Sequence, residues 1–170
     1  TVTVTATGRS LKPHNRIDAP NVRYVLGDLT EDSFVDGLVQ GQDAIVHAAA
    51  LSSPWGSKRA FWASNVRPTE LLVRAAETHG VERLVLISTP SMYFQMTSQR
   101  DLKEEDPLPK PINQYAASKR EAERMVEASD IPHVILRPRA LRGLGRLQRR
   151  SWPPSLLWRF RRPPCHWRVP

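Results

Sequence analysis

Residues 84–93 read Leu-Val-Leu-Ile-Ser-Thr-Pro-Ser-Met-Tyr, a short aliphatic run followed by hydroxyl side chains and a proline. Four consecutive aliphatic residues bounded by such a cluster predict a buried strand of the kind found in parallel sheets. Ser88 and Thr89 then lie at the carboxyl end of the strand. A hydroxyl group in that position can hold the oxygen of a substrate if a proton donor lies close to it.

The remainder of residues 1–141 alternates strand and helix patterns, which predicts βαβ units and a parallel sheet. Thr30 has the chemistry of a helix N-cap, and Gly80 that of a helix stop. Pro68 falls inside a helical pattern and predicts a kink or break there. The predicted strands cover residues 1–7, 22–26, 44–47, 84–87 and 134–136, and the predicted helices cover residues 31–39, 58–79 and 115–129.

Tyr115 and Lys119, in the run Tyr-Ala-Ala-Ser-Lys, begin the helix that follows the strand ending at Thr89. Residues four apart lie on one face of a helix, about one turn from each other. An ammonium group that close favours the ionised phenol, so the tyrosine can exchange a proton with a substrate oxygen. A solvated surface pair is the alternative interpretation, and the preceding strand with its hydroxyl favours the catalytic one.

Several short motifs in a fixed order carry a resemblance to a known family. They are residues 6–10, 27–30, 43–50, 65–66, 88–93, 115–119 and 136–141. With these motifs the chain resembles the extended short-chain dehydrogenase/reductase family, in particular its NAD(P)-dependent epimerase/dehydratase and 3β-hydroxysteroid-dehydrogenase-like branch. The resemblance implies a Rossmann-like, doubly wound parallel sheet with strand order 3-2-1-4-5.

The resemblance also implies catalytic roles for three side chains. Tyr115 would be the general acid/base, Lys119 would support it and bind the nicotinamide ribose, and Thr89 would position the substrate oxygen. Ser88 and Ser91 are interpreted instead as turn hydroxyls that bind the backbone. His47 is interpreted as a buried, hydrogen-bonded histidine rather than a base. Asn65 resembles a family asparagine beneath the active site, although an asparagine on a polar helix face is the alternative.

Cofactor-binding residues are expected where strands end. Arg9 and Ser10 follow the first strand, where a cation and a hydroxyl suit the 2′-phosphate of NADP, although NAD remains possible. A solvated arginine in a turn is the alternative. By resemblance, the adenine contacts fall on Asp28 and Leu29, and the nicotinamide pocket includes Pro138, with Arg139 beside it. Small side chains let a backbone approach the cofactor closely, and they occur in the run Ala48, Ala49 and Ala50.

The sequence departs from the family at both ends. The Gly-rich first βα unit is expected before Thr1, and the family pattern stops after Leu141, where a substrate domain would follow. We therefore expect residues 1–141 to be a partial NAD(P)-binding domain and the 170-residue chain alone to be inactive. Residues 142–170 hold eight arginines, three tryptophans and no acid. This tail is interpreted as frame-shifted or disordered, with a basic nucleic-acid-binding arm as the less favoured alternative.

Composition limits the classes of function. The net charge of +8 arises from 25 Lys and Arg against 17 Asp and Glu, and the excess lies in the tail. Nucleic acid is therefore disfavoured as a partner, and a small-molecule substrate is expected. A single cysteine excludes an internal disulfide and fits the cytoplasm. No apolar stretch suits a signal or membrane span, and scattered histidines predict no metal site.

The resemblance implies hydride transfer between a nicotinamide and a keto or hydroxy substrate of the 3β-hydroxysteroid or β-keto type. Nucleotide-sugar epimerisation or dehydration is an alternative within the same family. A non-catalytic cofactor-binding protein is a second alternative. The run Ser53-Pro54-Trp55-Gly56 favours the keto or hydroxy substrate.

Overall fold

A computed structural model describes residues 2–13, 16–53, 55–96, 101–103 and 105–138. Its strands are β1 (Val4–Gly8), β2 (Val22–Leu26), β3 (Ala44–His47), β4 (Arg83–Ile87) and β5 (His133–Leu136). Its helices are α1 (Asp32–Val39), α2 (Lys58–Phe61), α3 (Arg67–His79) and α4 (Gln114–Glu127), with a π-helical turn at Trp62–Val66 and a 3-10 turn at Pro90–Tyr93. The described residues belong to one compact unit within Thr1–Ala140. The predicted character of the tail lies outside the described residues.

All described strands pair in parallel, and each strand begins and ends within about three residues of its predicted bounds. β1 pairs with β2, from Val4 opposite Val22 to Gly8 opposite Leu26. β4 lies between β3 and β5 in a second ladder. Among the described residues no ladder joins β1 to β3, the two strands that flank the first strand in the family order. The α/β, Rossmann-like fold class is confirmed.

The core lies on one face of the three-stranded sheet. Leu84 and Leu86 point to this face, and both are essentially inaccessible to solvent. They pack with α1, α3 and α4 through aliphatic side chains that include Val35, Val39 and Val126. Burial alternates along β3, and the second face of this strand is uncovered, because Val46 is 68% exposed although parallel strands are commonly covered on both faces.

The start of α1 differs from the prediction. The helix begins at Asp32, its N-cap is Glu31, and that residue makes no side-chain capping bond. Thr30 is not the cap, because its hydroxyl and its backbone N–H both donate to Oδ1 of Asp28, at 2.9 Å each. The prediction was wrong because aspartate two residues before an N–H forms its own local turn, which competes with helix capping.

The long helical segment from Lys58 to His79 is continuous, so the break predicted at Pro68 does not occur. The chain instead widens into a π turn at Trp62–Val66, and Pro68 follows this turn directly, in the first turn of α3. Gly80 ends α3 in the left-handed conformation at φ 66°, as the sequence predicts. The π turn places Asn65 in the core.

Candidate active site at the carboxyl ends of β3 and β4

Thr89 lies just beyond β4, where the chain turns into the 3-10 segment. Its buried hydroxyl accepts a hydrogen bond from the backbone N–H of Ser91 at 3.2 Å and donates to the Ser91 hydroxyl at 2.9 Å. The side chain therefore caps the turn and fixes its own position. To bind a substrate oxygen, the hydroxyl has to rotate its hydrogen away from Ser91, which requires no movement of the backbone.

The structure corrects the interpretation of the two neighbouring serines. The hydroxyl of Ser91 accepts from Thr89 rather than binding the backbone. Ser88 is buried, yet among the described residues its Oγ has no hydrogen-bond partner. A buried hydroxyl without a partner is costly unless a ligand or water satisfies it. Ser88 therefore offers an unused donor and acceptor at the carboxyl end of β4.

Helix α4 holds Tyr115 and Lys119, and its first turn is fixed by Asn113, whose side chain accepts a hydrogen bond from the N–H of Ala116 at 2.8 Å. Tyr115 is half-buried and its ring centroid lies 6.2 Å from that of Phe61. Among the described residues its hydroxyl has no hydrogen-bond partner. The phenol is thus packed by its ring, and its hydroxyl keeps its hydrogen-bonding capacity for a ligand.

The ammonium of Lys119 is directed to the sheet. The side chain is buried, and Nζ donates to the backbone carbonyl of Ile87, the last residue of β4, at 2.8 Å. Burial lowers the pKa of this lysine, and the carboxylate of Glu123 one turn further along α4 raises it in part. The helix that holds Tyr115 is thus bound to the strand that precedes Thr89.

A buried amide joins the π turn to α4. Asn65 is 1% exposed, and its side chain accepts from the N–H of Leu51 at 2.7 Å and donates to the Leu51 carbonyl at 3.2 Å. It also donates to the hydroxyl of Ser118 at 2.9 Å, and that hydroxyl donates to the carbonyl of Tyr115 at 2.8 Å. The alternative of an exposed asparagine is wrong, since the π turn moves Asn65 inward.

His47 belongs to the same buried network. Its Nε2 lies 3.0 Å from the hydroxyl of Thr69, which donates to the backbone carbonyl of Asn65 at 2.7 Å. The threonine hydroxyl has one hydrogen, so Nε2 of the imidazole must be the donor to it. Burial, and then the charge of Lys119, lowers the pKa of His47 to about 4. The histidine is neutral at physiological pH, as expected of a buried structural residue.

Arg137, which follows β5, is a functional candidate that the sequence did not reveal. Its guanidinium donates to both carboxylate oxygens of Glu123, from Nη2 at 2.6 Å and from Nε at 3.0 Å. It also donates from Nη1 to the hydroxyl of Tyr93 at 2.5 Å. These partners are 14 and 44 positions away in the chain. No local spacing could therefore have indicated the cluster.

The expected cofactor residues fall at the ends of neighbouring strands. Arg9, Ser10 and the alanines 48–50 are exposed, so a ligand can reach their backbone. Arg9 lies close enough to Asp28 to lower its pKa, after the larger effect of the Thr30 hydrogen bonds. Leu29 instead packs against the core, and Pro138 is half-buried. Arg139 lies outside the described residues.

The side chains that follow these strands suit the adenine, ribose and nicotinamide parts of a dinucleotide in their chemistry. Small exposed residues follow β3, a cation and a carboxylate follow β1 and β2, and the unpartnered hydroxyl of Ser88 follows β4. Across the described residues, no group of three or more His, Cys, Asp or Glu side chains could hold a metal ion. None of the described helices combines the length and the apolar character that a membrane span requires.

Comparison with known proteins gives matches over this same region. Residues 1–146 match a family model described as NAD(P)H-binding. A 2-alkyl-3-oxoalkanoate reductase of Stenotrophomonas maltophilia is 34% identical, over 84% of this chain and 44% of the reductase. A dTDP-glucose 4,6-dehydratase of Streptomyces niveus is 38% identical, over 60% of this chain and 31% of the dehydratase.

Solved structures agree with the fold. The Bordetella bronchiseptica enzyme WbmH in complex with NAD+ superimposes with a TM-score of 0.72 at 25% identity, over 83% of this chain and 50% of WbmH. The chain therefore spans about half of the length of the proteins it matches, or less.

Proposed function

Since the chain belongs to the extended short-chain dehydrogenase/reductase family of NAD(P)H-binding proteins, we propose that it forms the catalytic part of an oxidoreductase that interconverts a keto and a hydroxy group. The observation that carries this proposal is the set of three polar groups at the end of β4. The Tyr115 phenol is open, the Lys119 ammonium is buried beside Ile87, and the Thr89 hydroxyl is fixed by the turn.

When bound, the cofactor supplies or accepts the hydride. In the reductive direction, Tyr115 donates the hydroxyl proton to the oxygen of the substrate carbonyl as the carbon takes up the hydride. Lys119 stabilises the phenolate that remains, because a nearby cation favours the charged form of a phenol. Thr89 donates a hydrogen bond to the same oxygen and orients it towards Tyr115. Oxidation of the alcohol runs through the same groups in reverse.

We propose NADP as the preferred cofactor, with NAD as the alternative. Arg9 and Ser10 support this choice, because they follow β1 in an exposed position and β1 ends in no carboxylate. A guanidinium can bind a phosphate through two parallel hydrogen bonds. The adjacent Asp28 favours NAD instead, since a carboxylate near the ribose suits a 2′-hydroxyl rather than a 2′-phosphate.

We propose an apolar keto or hydroxy substrate, of the 3β-hydroxysteroid or β-keto type. The loop after β3 supports this class, because the indole of Trp55 is 85% exposed and its backbone is held by the hydroxyl of Ser53. Gly56 packs so closely on Phe61 that an added Cβ would lie 2.9 Å from the ring, and Phe61 contacts Tyr115. The loop with the exposed indole is therefore adjacent to the proposed proton donor.

A nucleotide-sugar epimerase or dehydratase is the second candidate, and the similarity to the Streptomyces niveus dehydratase favours it. The two candidates share the Tyr115 chemistry and differ in the substrate that reaches it. A non-catalytic cofactor-binding protein is the third candidate. It is supported by the missing ladder between β1 and β3, and the complete set of Thr89, Tyr115 and Lys119 opposes it.

The test uses this chain joined at its amino end to a Gly-rich βα unit with a phosphate-binding loop, the unit that the family resemblance leads us to expect before Thr1. NADPH oxidation is measured with a long-chain β-keto acid and compared with the conversion of dTDP-glucose. Tyr115→Phe should lower turnover about 100- to 10,000-fold, as expected for the loss of one general acid. Tyr24→Phe, which removes a phenol from β2, is the control. Equal turnover in Tyr115→Phe and the parent protein would contradict the proposal.

A further inference from the structure

We propose that Arg137 is a positioning residue that couples the turn holding Thr89 to the helix holding Tyr115 and Lys119. This inference rests on the function proposed above. The family resemblance assigns no such role to Arg137, which belongs there only to a strand-end pattern. The geometry that carries the inference is one guanidinium with partners on both segments.

The first partner lies on the Thr89 segment. Tyr93 ends the 3-10 turn that the Thr89 side chain caps, and its hydroxyl accepts from Nη1 of Arg137 at 2.5 Å. The guanidinium also lies over the Tyr93 ring, 5.3 Å from its centroid. A turn of four residues capped at one end and bound at the other is short enough to move as a unit. A change at Tyr93 should therefore displace Thr89.

The second partner lies on α4. Glu123 is 2% exposed and lies one helical turn beyond Lys119 on the same face. Arg137 binds both of its carboxylate oxygens, at 2.6 and 3.0 Å, in the planar paired geometry that fixes orientation as well as distance. The negative charge of this carboxylate also raises the pKa of Lys119, against the larger lowering effect of burial. A change at Glu123 should therefore alter the environment of Lys119 on the same face of α4.

The burial of this ion pair distinguishes it from other pairs in the protein. The side chains of Arg137 and Glu123 are 16% and 3% exposed, whereas those of Arg124 and Glu121, on the same helix, are 67% and 29% exposed. An exposed pair can rearrange in water with little consequence, but a buried pair has to keep its geometry to compensate for lost hydration. Arg137 is therefore able to hold the two segments at one separation.

That separation matters for the proposed reaction. The substrate oxygen has to lie within hydrogen-bond reach of both Thr89 and Tyr115 when the hydride moves. A misplacement of about 1 Å can cost roughly 100-fold in rate. The guanidinium acts through other residues and touches no reacting atom, so it positions the catalytic groups rather than joining them.

The test measures transmission between the two segments by NMR in the chain of residues 1–170, without cofactor or turnover. The methyl carbon of Thr89 and the ε carbon of Lys119 are observed at neutral pH. Glu123→Gln should shift the Thr89 methyl although it lies on another segment, and Tyr93→Phe should shift the Lys119 ε carbon. Both effects should vanish in an Arg137→Met background. Glu121→Gln, in the exposed pair, is the matched control and should leave the Thr89 methyl unchanged.

A merely structural role would lower the melting temperature in these variants and leave the two distant signals unchanged in the folded protein. The inference is overturned if Glu123→Gln affects Thr89 no more than Glu121→Gln does. It is equally overturned if the effect persists at full size without Arg137. If Arg137→Met does not fold, Arg137→Lys replaces it. Lysine keeps the charge and loses the paired geometry, so the transmitted shifts should shrink. These readouts decide the inference even if no oxidoreductase activity is found.

Discussion

The side-chain amide of Asn65 donates a 2.9 Å hydrogen bond to the hydroxyl of Ser118, which lies 53 residues further along the chain. This bond joins the π turn before α3 to the helix that holds Tyr115. Because the Ser118 hydroxyl itself donates to the Tyr115 carbonyl, the amide supports the backbone of the proposed proton donor. The buried position of Asn65 makes every one of its hydrogen bonds costly to lose.

The first prediction concerns this amide. Ser118→Ala removes one partner and leaves Asn65 its bonds to Leu51, so it should lower the free energy of unfolding by about 1 kcal/mol. Asn65→Ala leaves two backbone groups of Leu51 without a partner and should cost about 2–4 kcal/mol. Urea denaturation measures both. In the Asn65→Ala background Ser118→Ala should cost less, because the bond it would break is already gone.

The control for this prediction is Asn21→Ala, which removes an exposed side-chain bond to the Val2 carbonyl. It should cost about 0.5 kcal/mol or less, since water replaces an exposed bond. If Asn65→Ala and Asn21→Ala had equal effects, the amide would not be a structural link between the two helices.

The second prediction concerns acid stability and His47. The pKa of His47 is about 4 in the folded protein and 6.5 in the unfolded chain, so the unfolded state binds the extra proton first as the pH falls. Stability from this group is therefore complete above pH 6.5 and is lost between pH 6.5 and 4. From pH 7 to pH 4.5, we expect His47 to account for a loss of about 2 kcal/mol in unfolding free energy.

His47→Gln separates this loss from that of the carboxylates. Glutamine can donate to the hydroxyl of Thr69 and does not titrate, so the variant should lose about 2 kcal/mol less than the parent protein over that pH range. His79→Gln, at a half-buried histidine that binds Asp36 outside the buried network, is the control substitution. If the parent protein and His47→Gln lost the same unfolding free energy between pH 7 and pH 4.5, His47 would be protonated as easily in the folded protein as in the unfolded chain.

The strands were predictable from sequence because each is a short run of aliphatic or alternating residues that only a sheet buries. β2 and β3 match their predicted ranges, since glycines and polar residues bound them closely. The α1 cap was not predictable, because Thr30 has the side chain of an N-cap, whereas the observed cap is Glu31, which makes no side-chain capping bond. The inward turn of Asn65 depends on one extra residue in a helical turn, which no hydrophobic period reveals.

The site was predictable where chemistry is local. Tyr115 and Lys119 share a helix face, and the spacing alone places them together. The direction of Lys119 towards the Ile87 carbonyl and the cluster of Arg137 with Glu123 and Tyr93 depend on long-range packing. The unsatisfied hydroxyl of Ser88 could not be predicted from the sequence either, because a serine after a strand ordinarily forms a hydrogen bond with the backbone of the turn.

The third prediction concerns the cofactor. In the chain extended with a phosphate-binding βα unit, Arg9→Asp should weaken NADPH binding about 10- to 100-fold, the loss of one charged hydrogen bond. NADH binding should change less, so the preference moves towards NAD. Calorimetric titration with both cofactors measures the ratio of the NADH and NADPH dissociation constants. Arg23→Asp makes the same change of charge on β2 and should leave the ratio unaltered. Identical ratios in Arg9→Asp and Arg23→Asp would contradict the assignment of Arg9 to the 2′-phosphate.

The last prediction concerns residues 1–170 as an isolated polypeptide. β1 and β3 flank the place of the family's first strand, and no described ladder joins them. The pyrophosphate of a dinucleotide binds at the helix N-terminus of the Gly-rich first βα unit, and none of the described elements corresponds to that unit. Tyr115, Lys119 and Arg9 are then too few contacts to hold a dinucleotide. Calorimetry should show no saturable NADPH binding up to about 1 mM, the weak end of ordinary ligand affinities. The extended chain should bind it. Micromolar binding by residues 1–170 alone would contradict the prediction and would mean that another segment supplies the phosphate site.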